Sequence, residues 1–306
     1  DTLAGGHKAV FLGIGAAKSQ QMGIPGENSQ GVMAALDLLR KVNSGEKVTL
    51  GNRVAIIGGG NVAIDVSRSA VRLGAKEVSI TYRRTRAEMP AWEEEIEAAE
   101  AEGVRITYLS APQEVLVRDG SVVALRCIRM ELGEPDSSGR RRPVPVPGSE
   151  YDIETDQLIQ AIGQRPDTSS IEKTDDIEIS KWDTTQVDQV TFATGKKGVF
   201  SGGDLQTGPG VAIGAIAAGM EAAESIFRYL QGEDMALGRE AMETDTPDFN
   251  PIPDDITKEA RLKMPELAVE SRGGNFNEVE LGYNEIDGQK EAARCLNCGY
   301  CSECMP

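Results

Sequence analysis

Three groups of residues in this chain have types and spacing suited to chemistry. The first is the triplet Gly58, Gly59 and Gly60, which closes the apolar run VAII and is followed by Asn61, Val62 and Ala63. Gly58, Gly60 and Ala63 fit the G-x-G-x-x-G/A pattern of a dinucleotide turn. The first glycine permits the bend, the second lets backbone approach a pyrophosphate, and the small third residue keeps helix and strand close. Phosphates there would sit on free N–H groups at a helix start, where the dipole favours an anion. The second group is Arg83, Arg84 and Arg86, at the end of the next apolar run. A site for NAD places an acidic residue at that point, and basic residues instead are the signature of a 2′-phosphate. The bland alternatives are a structural glycine turn and a solvated basic turn. The third group is Cys295, Cys298, Cys301 and Cys304, at intervals of three residues. Thiolates so crowded favour a soft metal or oxidation over free thiols, and the clustering is not that of a disulfide framework.

The elements that must position these groups follow from periodicity. Residues 54–58 read as a buried strand; Ala63, Val66, Ala70, Val71 and Leu73 recur at helical spacing; 78–82 is rich in β formers again. Upstream, 8–14 is a buried-type strand and 32–42 an amphipathic helix with Ala35, Leu38 and Leu39 on one face. Downstream, 92–102 is an acidic helix with a solvated face, and 104–109 a third strand. Residues 114–117 and 122–130 flank Asp119-Gly120, a strong hairpin signal. The segment 135–147, with its arginines and prolines, reads as an exposed arm, and 156–162 returns to the core and meets Gly163 and Gln164. A short strand at 199–201 opens a glycine turn through Gly203, Asp204 and Gly210, and a helix follows over 211–230 whose small residues permit close backbone approach. Asp204 would either accept a sugar hydroxyl or cap its own loop. The acidic, proline-dotted stretch 233–288 reads as an extended crossing segment.

Composition bounds the partners. A net charge of −17 over 306 residues, with basic clusters confined to 83–86 and 140–142, argues against nucleic acid. No apolar run approaches the ~20 residues that span a bilayer, so a soluble, cytoplasmic protein is expected. The chain begins with Asp1 rather than Met, which leaves room for an upstream segment.

As an ordered set, 58–63, Tyr82-Arg83-Arg84, Met89-Pro90-Ala91, 161–166, Gly203-Asp204 and 212–219 resemble the small subunit of glutamate synthase and the NADPH-dependent ferredoxin oxidoreductase subunits, flavoproteins related to the disulfide reductases. The resemblance implies an α/β fold in which a Rossmann-like NAD(P)-binding domain of the three-layer ββα/βαβ type is inserted into a partial FAD-binding domain, with an extended cysteine-rich C-terminal tail. The expected segments are 1–48 and 156–232 for the two parts of the FAD domain, 49–155 for the NAD(P) domain, 233–290 for a linker and 291–306 for the tail.

Carried over by motif, Gly58, Gly60, Asn61 and Val62 would meet the pyrophosphate of NADP(H), and Arg83 and Arg84 its 2′-phosphate. Gly163 and Gln164 would lie at the domain crossover. Gly203 and Asp204 would hold FAD, with Val211 and Ala212 near the flavin ring. The implied activity is hydride transfer from NADPH to FAD and onward release of electrons to iron–sulfur clusters, for a partner subunit or ferredoxin, in a homodimer or hetero-oligomer. Hydride transfer needs no acid or base, so no catalytic side chain is named.

The family's first FAD-binding glycine strand and its N-terminal Fe–S region are missing, so the chain reads as a truncated piece. The alternative is an NADP-binding or docking module without turnover of its own. C-x₂-C-x₂-C resembles the first three ligands of a [4Fe–4S] motif, but Cys304 follows one residue early; a Cys₄ zinc site and empty thiols are the other readings. Cys127 stands alone as a buried hydrophobe, which disfavours a disulfide reductase.

Overall fold

The computed structural model describes residues 5–136, 139–171, 176–241 and 260–294, in two compact units, Asp1–Met242 and Glu243–Pro306. In the first unit the chain passes through β1 (Val10–Leu12), β2 (Lys18–Ser19), β3 (Val32–Ala34) and α1 (Ala35–Asn43). It continues through β4 (Arg53–Ile57), α2 (Asn61–Arg72), β5 (Glu77–Thr81), α3 (Glu93–Ala101) and β6 (Arg105–Thr107). Four antiparallel-paired strands follow: β7 (Ser110–Arg118), β8 (Ser121–Pro135), β9 (Arg141–Pro145) and β10 (Tyr151–Glu154). Then come β11 (Gln157–Gln160), β12 (Gln164–Arg165), β13 (Val199–Ser201), α4 (Asp204–Thr207) and α5 (Ala212–Gln231).

The centre is a five-stranded parallel sheet in the order β3-β11-β4-β5-β6. β4 is buried on both faces, as a parallel strand with both sides covered must be. Val54 and Ile56 point to a core shared with α1, α2 and α3. Ala55 and Ile57 point to a second core, where Val115, Val122, Leu125 and Cys127 of the antiparallel sheet pack. The layers are therefore helix, parallel sheet, antiparallel sheet, as expected of the ββα type. The turn at Asp119 and Gly120 has both residues at positive φ, 52° and 82°, the geometry that joins two right-twisted strands. β1 pairs with β13 in a separate parallel pair, where Phe200 meets Tyr229 of α5 edge-on, while Ala218 and Ala222 of α5 pack with Phe192.

Several expectations are corrected. The run 32–42 is not one helix: Val32–Ala34 forms β3, hydrogen-bonded to β11, and the helix starts at Ala35. A short apolar run covered on both faces carries no period that separates strand from helix. β3, in the 1–48 segment, thus joins the five-stranded parallel sheet, and α1 packs against it. The strand at 8–14 shortens to Val10–Leu12 and is only half buried, with Phe11 41 % exposed; among the described residues β13 is its one neighbour in the sheet. The 135–147 arm is exposed as expected, but it includes a strand: β9 folds back along β8, pairing Leu132 with Pro143 and Met130 with Pro145. Prolines are tolerated there because β9 is an edge strand. The expected 233–290 linker is not uniformly extended where it is described in the second unit, from residue 260 onward. Leu267 and Leu281 make backbone bonds to Val279 and Pro265, Arg272 is buried against Glu266, and Asn284 caps α6 (Glu285–Ala293).

The glutamates of α3 are also more than a solvated face. Glu102, with its side chain 1 % exposed, pairs with Arg68 and Arg72 of α2, and Arg68 also reaches Glu95. Breaking a buried pair leaves charge uncompensated. Glu102→Ala is therefore expected to destabilise the protein by roughly 3 kcal/mol, seen as a lowered denaturant midpoint at unchanged slope. A loss below about 1 kcal/mol, the value of a surface pair, would contradict this role.

Candidate functional site

The corner between β4 and α2 is built from three glycines that do different work. Gly58 has φ +142°, and a Cβ there would lie 2.2 Å from the carbonyl oxygen of Ala161. A Cβ on Gly59 would lie 2.5 Å from the Tyr82 ring. Both positions exclude a side chain by contact with the protein itself. At Gly60 the nearest atom to an added Cβ is Pro90 Cγ at 3.9 Å, so this backbone faces open space. Gly60 is the N-cap of α2, whose first turn has no side-chain cap and no acidic residue. Its leading N–H groups, on Asn61 and Val62, therefore remain available to an anion.

That open space is a cavity of about 610 Å³ lined by Gly58 to Val62, Thr81 to Arg84, Pro90, Arg140 and residues 160–164 among others. Thr81 Oγ1 is buried on its wall and finds no hydrogen-bond partner among the described residues, so the wall retains an unmet polar group. The loop after β5 is rigid. Tyr82 Oη donates to the Glu88 carbonyl at 2.7 Å, and Thr85 and Glu88 form a reciprocal capping box, whose hydrogen bond from Thr85 holds the Glu88 carboxyl below its usual range. Ala91 N–H donates to Gly59 O at 3.2 Å and Trp92 N–H to Asn61 Oδ1 at 3.0 Å. The loop is thereby stitched to the glycine corner, and the Asn61 side chain is engaged in holding it.

The three arginines have separate fates. Arg83 is exposed, lines the cavity and makes no ion pair among the described residues. Arg84 is only 4 % exposed; its Nη2 bonds Asp136 at 2.6 Å and its Nε the carbonyl of Arg141 at 2.7 Å. Arg86 turns away to Glu93 and Glu100. Arg140, from the hairpin of β8 and β9, was not singled out as a site residue by the sequence, although the basic run 140–142 is visible there.

Gly163 and Gln164 line the same cavity. Gly163, at φ +114°, accepts a backbone bond from Gln20 at 3.0 Å, and β12 pairs with β2, so the two residues sit where the chain crosses between the parallel sheet and the β1–β13 pair. A second cavity, of about 360 Å³, is lined by Gly13, Gly203, Asp204, Val211 and Ala212 among others. Gly203 has φ +64°, and a Cβ there would come within 3.3 Å of Ala215 on α5, so the small residues of that helix do let it approach the turn. Asp204 Oδ1 accepts from Gly210 N–H at 3.1 Å and borders the cavity, which combines the loop-capping role with access to a ligand.

Cys295, Cys298, Cys301 and Cys304 lie outside the described residues. Among the described residues no group of three or more His, Cys, Asp or Glu could hold a metal ion, and no helix is long and apolar enough to cross a membrane. Cys127 is fully buried, and burial pushes its thiol up to about 11, which makes it inert.

Comparison with known proteins is consistent across sequence and fold. The family model for pyridine nucleotide-disulphide oxidoreductases matches residues 4–219. The NADP(+)-dependent formate dehydrogenase subunit beta of Moorella thermoacetica is 41 % identical over 97 % of this chain and 43 % of its own length. The glutamate synthase [NADPH] small chain of Azospirillum brasilense is 35 % identical over 74 % of this chain and 50 % of its own. The chain thus spans about half the length of the curated relatives it matches. Mycobacterium tuberculosis FprA in complex with NADPH shares the fold at a TM-score of 0.61 and 18 % identity, over 76 % of this chain and 65 % of that one.

The unequal surroundings of the glycines give a direct test. Gly58→Ala is expected to lower stability by about 2–4 kcal/mol, through strain at positive φ and overpacking. Gly60→Ala, with φ −92° and open space, is expected to leave Tm unchanged. Equal effects in thermal melts would contradict the geometry.

Proposed function

The chain belongs to the pyridine nucleotide-disulphide oxidoreductase family, and on that premise we propose that it carries the NADPH-oxidising part of a flavin-dependent electron-transfer enzyme. The observation that carries the reading is the exposed Arg83 beside an open glycine corner and an uncapped helix start. The pyrophosphate of NADPH would cross Gly58 and Gly60 onto the N–H groups of Asn61 and Val62. Arg83 would meet the 2′-phosphate, and the buried Thr81 hydroxyl would gain a partner. Gly163 and Gln164 would border the nucleotide at the crossover.

FAD fits the second cavity in kind: a glycine turn kept free of side chains, Asp204 able to accept a sugar hydroxyl, and the start of α5 at Val211 and Ala212 near the ring. FAD, when bound, supplies an acceptor for the hydride that can pass electrons on singly. The chain's own contribution is position and charge, with no proton moved by a side chain. The tail cysteines Cys295, Cys298, Cys301 and Cys304 are the proposed ligands of a [4Fe–4S] cluster, supported by their spacing and by soft thiolate chemistry. The electron acceptor would be a partner subunit or a ferredoxin, and the reducing conditions such thiolates need point to the cytoplasm.

The test is nucleotide affinity in the intact protein. A charge-assisted hydrogen bond contributes ~1.5–3 kcal/mol, so Arg83→Ala is expected to weaken NADPH at least about tenfold while changing NADH less than about twofold. An equal loss for both nucleotides in calorimetric titrations would overturn the assignment.

A further inference from the structure

Of the two arginines the sequence offers to a 2′-phosphate, Arg84 is already committed. Its guanidinium lies in the cavity wall, with Nη2 on Asp136 and Nε on the carbonyl of Arg141. Both partners belong to the hairpin of β8 and β9, more than fifty residues further along the chain. The hairpin end is closed by Asp136 N–H, which donates to Arg140 O at 2.8 Å. The two peptides that flank Arg141 are therefore each held, the one after it by Arg84 on the Arg141 carbonyl and the one before it by Asp136 N–H on the Arg140 carbonyl. Arg141 spends its own guanidinium on the carbonyls of Leu132 and Gly133. Of the consecutive arginines Arg140, Arg141 and Arg142, Arg140 is the one that lines the cavity shared by Arg83 and the glycine corner.

We propose that Arg140 is a second specificity-determining cation for the adenosine 2′-phosphate, supplied by the β8–β9 hairpin, and that Arg84 and Asp136 are positioning residues that hold it at the cavity. The inference rests on the reading of this cavity as the NADPH site. Physically, a dianionic phosphate is bound best by more than one guanidinium, since each fork offers two parallel N–H donors. Asp136 would repel a phosphate were its charge not neutralised by Arg84, so the pair, buried on the Arg84 side, both fixes the hairpin and offsets that carboxylate. A lysine in place of Arg84 would keep the charge but lose the fork that spans Asp136 and the Arg141 carbonyl.

The experiment is calorimetric titration of the intact protein with 2′,5′-ADP and with 5′-AMP, which differ only in the 2′-phosphate. Arg140→Ala, on an exposed side chain, is expected to weaken 2′,5′-ADP by about five- to tenfold and 5′-AMP by less than about twofold, with Tm unchanged and partial recovery in Arg140→Lys. Asp136→Asn is expected to lose part of the same preference, and the double variant to be no weaker than Arg140→Ala alone, the non-additivity of residues acting as one unit. An unaltered 2′,5′-ADP to 5′-AMP ratio in Arg140→Ala, or additive losses in the double variant, would overturn the proposal while the NADPH site stands. A wild-type protein with no preference for 2′,5′-ADP would bring down the site reading and this inference together.

Discussion

At the carboxyl end of β4 the Gly58 backbone and the Ala161 carbonyl approach so closely that an added Cβ would fall 2.2 Å from the oxygen. Only a glycine at positive φ fills that position without strain, and this contact sets where α2 begins. The neighbouring approach of Gly59 to the Tyr82 ring then fixes β5's exit against the same corner. With two glycines consumed in packing, the third is left facing open space. Layered packing of β4, with alternate residues in two cores, makes this corner rigid. A backbone pocket with free N–H groups is the consequence, and its chemistry follows from strand and helix geometry rather than from any acid or base.

Charge is distributed around the corner by pairing. The protein is strongly acidic, yet its carboxylates neutralise selected arginines and leave others exposed to the cavity. Glu93 and Glu100 take Arg86, Asp136 takes Arg84, and Glu102 with Glu95 takes Arg68. Arg83 makes no ion pair among the described residues. In a protein of net charge −17, positive charge at the cavity thus depends on which lining cations a carboxylate neutralises, as Asp136 does Arg84. The rigidity of the 82–92 loop, through the Thr85–Glu88 capping box and the bond from Trp92 to Asn61, keeps that distribution fixed before any ligand arrives, which lowers the ordering cost of binding.

The sequence made β4, the glycine corner, α2 and β5 legible because a doubly buried strand and a fixed glycine spacing are both local signals. The Asp119-Gly120 turn was legible for the same reason. β3 was not, because Val32 to Ala34 runs into α1 without any polar break. β9 was masked by Pro143 and Pro145, which an edge strand accepts. The different surroundings of Arg83, Arg84 and Arg86 were also hidden: RRTR reads as one basic turn, and only the arrival of Asp136 and Arg141 from a distant hairpin separates the buried, bonded Arg84 from the exposed Arg83. In the same way Glu95 of α3 and Glu102 at its C-terminal cap read as solvated until the arginines of α2 lie beside them.

The most direct measurement is a crystal structure of the intact protein with NADP⁺ bound. The account predicts the pyrophosphate over Gly60 and the N–H groups of Asn61 and Val62, with the 2′-phosphate within hydrogen-bond distance of the Arg83 guanidinium. An adenine ribose bound elsewhere, or directed away from Arg83, would contradict it.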